Sequence, residues 1–198
     1  MSPTRDALLD AAVDQIDAAG LEGLTLRSIA RRCGVSHAAP ARHFDGVGAL
    51  LSAVAARSFR SLTATLDRHV DDAGDDVFDR LRGAANGYVQ FATTNPGEYE
   101  LMFRPERLDP TDTDLLEAGR ESFGRFEMLI GDAQLTGWQA DVDRSLLAGV
   151  AWASTHGVVS LWIQGALTGA IGVDDHRPVV DTLINDVLRI GATASSSS

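Results

Sequence analysis

The chain has 198 residues, 44% of them hydrophobic, a formal net charge of −11 and a single cysteine, Cys33. One cysteine excludes an internal disulfide, metal-ligand spacing is absent, and residues 1–6 lack the basic-then-apolar pattern of a secretory signal. No run approaches the ~20 apolar residues of a membrane span, so the expectation is a cytoplasmic chain that needs no membrane, with one large core or two small ones.

Residues 4–19 are expected as a first helix, with Leu8, Ala12, Val13, Ile16 and Ala19 on one stripe and Gly20 as its stop. Thr25 is placed to cap the next helix, with Leu24 and Ile29 as a hydrophobic staple and Leu26, Ile29 and Ala30 on its buried face. Gly34 falls just past the last turn, where a left-handed residue is cheapest, and Val35 is an apolar plug in the turn. Ser36 then caps a short helix over 36–43, from which Pro40 removes only an early hydrogen bond. That second helix has little apolar surface of its own and offers donors and small contacts instead. Two short helices joined this way form a helix-turn-helix, whose second helix reads a DNA major groove. Thr25, Arg27, Ser36, His37, Ala38, Ala39, Arg42 and His43 are the candidates for contact with bases or phosphates. Cys33 is expected to be buried, and nothing argues for a redox role.

Charge supports this reading only through its distribution. Residues 1–60 hold seven Arg against six acidic residues, so nearly all the negative charge lies in the remainder. A locally basic head on an acidic body turns the head toward phosphates.

A long helix is expected over about 47–69, too long for the head alone and so a link to the next domain. The acidic break at 71–76 lacks calcium-loop spacing and reads as a solvated loop that caps the next helix. Further helices are expected over 77–94, 98–103, 115–130 and 141–167, and a last one opens at Pro178. The 141–167 helix is apolar on every side, which implies its own core on one side and a partner on the other. The last helix carries too many apolar residues for one internal face. Val158, Leu161, Trp162, Gly165, Val180, Leu183, Ile184 and Val187 are therefore candidates for a dimer interface of four helices, two from each subunit. Tyr88, Phe91, Met102, Phe103, Phe123, Phe126, Trp152 and His156 are candidates to line a ligand pocket, each with core packing as the plainer alternative. No strand-like alternation occurs. The fold class is all-α, with about nine helices.

The stretch LTLRSIARRCGVSHAAPARHF, followed by GALLSAVAARSF, resembles the TetR/AcrR family of transcriptional repressors. The later FATTNPGEYELMF and AWASTHG resemble the branch of that family with a Trp-His-Gly signature in its C-terminal domain. The resemblance implies a three-helix DNA-binding domain over 1–46, a helical ligand-binding and dimerisation domain over 47–192, and a disordered tail over 193–198. It implies a homodimer on a pseudo-palindromic operator in double-stranded DNA, released by a small, largely apolar effector; the sequence suggests no nucleophile arrangement, phosphate-cradling loop or metal-spaced cluster, so no cofactor and no enzymatic activity are expected. Two positions depart from the family pattern: Ala41 stands where an aromatic residue, mostly Tyr, is usual, and Val47 where Lys is usual. Both family residues generally touch phosphates, so a second reading is a ligand-binding helical dimer with weakened DNA recognition.

Overall fold

A computed structural model describes residues 4–187, with side chains through Asn185. The expected tail and the Val187 side chain lie outside the described residues. Nine α-helices occur among them, and no strand: α1 (Arg5–Ala19), α2 (Leu26–Arg32), α3 (Gly46–Asp72), α4 (Val77–Thr94), α5 (Pro96–Met102), α6 (Thr113–Gln134), α7 (Arg144–Ile163), α8 (Ala166–Ile171) and α9 (Arg177–Thr182). The chain divides into two compact units: residues up to 61 with 95–121, and residues 62–94 with those from 122 onward. Helices α3 and α6 each run through both units.

The first unit closes over Leu8, Ile16, Ile29, Leu50, Leu51 and Val54, all fully buried. Thr4 caps α1 by accepting a hydrogen bond from the Ala7 N–H at 3.2 Å. Helix α5 starts with Pro96 at a position whose N–H would be unpaired in any case. It lies on α1 where Gly97 has no side chain: a Cβ there would meet the Ile16 side chain at 2.6 Å. Arg107 donates to the Leu21 carbonyl at 2.7 Å, and the Asp109 N–H donates to Ser52 at 2.8 Å. The segment after α5 is thereby stitched to the head.

In the second unit, α4 packs against the end of α3 through two glycines one turn apart. A Cβ at Gly83 would stand 2.6 Å from the His69 carbonyl oxygen, and one at Gly87 3.1 Å from the Leu66 Cα. Close backbone approach, not side-chain interdigitation, sets this contact. Leu81, Phe91, Leu129 and Ile130 fill the core beside it.

Three expected elements differ. The helix over 36–43 is a turn followed by a 3-10 turn, Pro40–Arg42. Pro40 lacks the N–H that would close the first α-type bond to Ser36, and the chain uses shorter bonds instead: Ala39 N–H to the Ser36 carbonyl, 2.9 Å, and His43 N–H to the Pro40 carbonyl, 2.9 Å. The expected helix over 141–167 stops at Ile163, because Gly165 takes a left-handed conformation at φ 73° and starts α8 on a new axis. The last helix keeps α-geometry only to Thr182 and passes into a π-type turn at Leu183–Val187. Contrary to the expectation from composition, α7 is long and apolar enough to satisfy the length and composition of a membrane span.

Candidate functional site

The head is built from short-range bonds. Thr25 Oγ1 accepts from the Ser28 N–H while Ser28 Oγ accepts from the Thr25 N–H, both at 3.1 Å, so a serine completes the capping box that Glu or Gln usually closes. Leu24 and Ile29 are both buried beneath it. At the other end of α2, Gly34 sits at φ 67°, its N–H bonded to the Arg31 carbonyl and the Val35 N–H to the Ala30 carbonyl. These are the paired bonds of a Schellman stop. Val35 is half-buried, and Cys33 is half-buried rather than buried, with burial pushing its thiol pKa up. Such a thiol is less ionised than a free one, the opposite of what a reactive cysteine needs.

Thr25, Arg27, Ser36, His37, Ala38, Arg42 and His43 are exposed on this head; Ala39 is not. The 3-10 turn rotates Ala39 inward beside Pro40, so its side chain belongs to the core and not to a groove-facing surface. Its near neighbours divide by charge partner. Arg32 pairs with Asp14 at 3.4 Å and Arg57 with Asp10 at 2.7 Å. Arg5 lies over the Phe44 ring at 5.4 Å. Arg27, Arg31 and Arg42 have no ion-pair or hydrogen-bond partner among the described residues and are exposed. The sequence alone singles out Arg27 and Arg42 as contact candidates, while Arg31 enters only as part of the general enrichment in Arg.

The eight ligand-pocket candidates fall in both units. Met102 and Phe103 belong to the first, where Phe103 meets Phe59 and Tyr99 edge-on at 5.9 and 5.3 Å. In the second unit four side chains form a chain of contacts: Phe123 stands edge-on to Trp152 at 6.1 Å, Trp152 is 5.6 Å from the His156 ring, and His156 Nδ1 lies 2.9 Å from the Tyr88 hydroxyl. Phe91 is buried in the same unit and Phe126 half-buried on α6. Burial pushes the His156 pKa below its usual value, favouring the neutral imidazole that can accept from the Tyr88 hydroxyl.

None of these eight residues lines the cleft of about 320 Å3 that opens elsewhere in the second unit. One wall is Asn86, Gln90 and Thr93 of α4; the other is His176, Arg177 and Asp181; Val89 and Val180 form the floor. The sequence does not reveal it, because polar residues at this spacing on an amphipathic helix carry the same signal as a solvent face.

Helix α7 buries Ala148, Ala151, Thr155 and Val159 and leaves part of its remaining apolar surface exposed. Leu146 is 61% and Leu161 47% exposed. Val158 and Trp162 are half-buried, and Gly165 is exposed. Val180 and Ile184, by contrast, are 4% and 2% exposed, and Leu183 is buried with them. These three are packed into the chain's own core, unlike the exposed α7 candidates.

Comparison with known proteins agrees with this layout. The family described as bacterial regulatory proteins of the tetR family matches residues 8–54, from α1 into α3. The tetracyclin repressor-like C-terminal domain matches residues 81–187, which include Trp152, His156 and Gly157. The HTH-type transcriptional regulator BetI of Stenotrophomonas maltophilia is 34% identical over 83 residues, 42% of each chain. The match therefore spans less than half the length of that curated relative. A protein of unknown function from Rhodococcus sp. RHA1 superposes with a TM-score of 0.80 at 34% identity, over 93% of both chains. The fatty acid degradation regulator FadR of Bacillus halodurans shares the fold at a TM-score of 0.74 and 16% identity, over 95% of this chain and 96% of its own. With a capped helix, a glycine turn and an exposed arginine face at one end, and more than half its length matched by the repressor-like C-terminal domain, the chain belongs to the TetR family of transcriptional regulators, with an N-terminal helix-turn-helix DNA-binding domain.

Proposed function

We propose that the chain is a cytoplasmic repressor that binds a pseudo-palindromic operator as a homodimer and is released by a small, largely apolar effector. DNA binding resides in residues 1–46, and effector binding and dimerisation in 47–192. The observation that carries the reading is the charge partition on the head: Arg27, Arg31 and Arg42 are exposed and free of acidic partners among the described residues, while Arg32 and Arg57 are neutralised. Free guanidinium groups exposed on a helix-turn-helix suit phosphate and guanine contact. The open apolar face of α7 supports association of two copies, which would set two heads about one DNA turn apart. The Trp152 and His156 cluster supports an effector that is mostly apolar with one hydrogen-bonding group, and a tilt of α3 is the proposed carrier of the signal. Coupling of this kind is typically worth ~1–3 kcal/mol.

The test is a salt titration of binding to DNA from the region upstream of the protein's own coding sequence. Tight binding over competitor DNA that weakens steeply as salt rises is expected. A folded dimer that shows no specific binding at low salt would refute it. A second reading, a ligand-binding dimer with weakened DNA recognition, draws on Ala41, which is exposed on the 3-10 turn where the family usually carries Tyr. Under that reading, Ala41→Tyr with Val47→Lys would raise DNA affinity strongly; under the first, little.

A further inference from the structure

Helix α4 presents two different faces within the second unit. Tyr88 and Phe91 point to its aromatic and core side, whereas Asn86, Gln90 and Thr93 recur at helical spacing along the cleft. At about 320 Å3 this cleft lies at the small end of the range for ligand pockets. Its lining is unusual for such a pocket, since the apolar part is confined to Val89 and Val180 beneath.

The charges on the lining balance. Arg177 is held by Asp175 at 2.7 Å, and Asp181 lines the same cleft. An anion entering the cleft would meet the Asp181 carboxylate, and a cation would meet the Arg177 guanidinium, so neither gains. Hydroxyl groups suit this surface because each both donates and accepts. The Asn86 carboxamide is exposed and has no hydrogen-bond partner among the described residues. Gln90 already offers its Oε1 to His69 Nε2 at 2.7 Å, which leaves its amide N–H groups for a ligand. Asp181 can accept and Arg177 can donate from the opposite wall, while the two valines match the C–H face of a small ring or chain. We infer that this cleft is a second ligand site, separate from the aromatic cluster, and that it takes a neutral polyhydroxylated small molecule. Such a ligand would join α4 to the segment around α9 and act on the Gln90 tie to His69 of α3.

Isothermal titration of the full chain with glycerol, D-sorbitol, myo-inositol and D-glucose tests this, with acetate and choline as charged controls. At least one polyol should bind saturably. Its affinity should fall at least tenfold in Asn86→Leu and in Asp181→Leu, with circular dichroism unchanged, and hold in His156→Asn. Absence of saturable binding by all four polyols would overturn the inference. So would tighter binding of acetate or choline, or polyol binding indifferent to both cleft substitutions.

Discussion

The pairing of Tyr88 with His156 gives a single imidazole a measurable place in the energetics. Burial lowers the pKa of His156 from the usual 6.5, so between that lowered value and about 6.5 the unfolded chain binds a proton that the folded chain does not. Stability from this group is present above the unfolded pKa and is lost as pH falls through the folded one. His156→Asn places an oxygen acceptor near the position of Nδ1 for the Tyr88 hydroxyl and removes the titration. Urea unfolding between pH 7 and 5 should therefore show a shallower loss of stability in the variant than in the parent chain. Equal slopes would mean that His156 already titrates as it does in water, and that the bond to Tyr88 carries no preference for the neutral ring. The aromatic types at 88, 123, 152 and 156 are legible in the sequence; their order of contact is not, because helical spacing fixes which residues share a face of one helix but not which faces of two helices meet.

Among the elements, α2 is the most completely specified by its own residues. Its cap, staple and stop are all local, and each is visible in the sequence because each depends on residue type within five positions. Gly34 is the sharpest case: nothing lies within 4 Å of where its Cβ would stand, so the demand is for φ 67° alone. Gly34→Ala should cost about 1–2 kcal/mol, the penalty of a left-handed conformation with a Cβ. In a chain of this size that is roughly 2–8 °C in melting temperature at fixed protein concentration. A stability unchanged by Gly34→Ala would show that the turn relaxes out of that conformation. The elements that the sequence misplaces fail for identifiable reasons. Pro40 counts as one lost bond, yet in a segment of eight residues one lost bond at the first turn removes the nucleus of the helix. Gly165 reads as a small contact residue inside a long apolar helix, where it is the stop. In both places hydrophobic pattern continues across a backbone break, and pattern is blind to φ.

For the whole molecule, the question is what covers the outer face of α7. Its apolar surface continues past Leu146 and Val150 to Leu161, a length of exposed hydrophobic surface that monomeric soluble proteins rarely leave open. Val180, Leu183 and Ile184 are buried in the protomer's own core, so in the proposed dimer the exposed face of α7 would carry the contact, and packing of two identical faces would be isologous. Leu161→Asp places a charge at the C-terminal end of that face without touching the buried stripe of Ala148, Ala151, Thr155 and Val159. Size-exclusion chromatography with light scattering should show a dimer for the parent chain and a monomer for the variant, with helical content retained. Operator affinity should fall at least tenfold in the same variant, because two heads joined in one dimer gain from effective concentration what separate heads lose. Retention of the dimer by Leu161→Asp would move the interface off α7 altogether. A monomer that kept full operator affinity would instead preserve the interface and remove the pairing of heads from the mechanism.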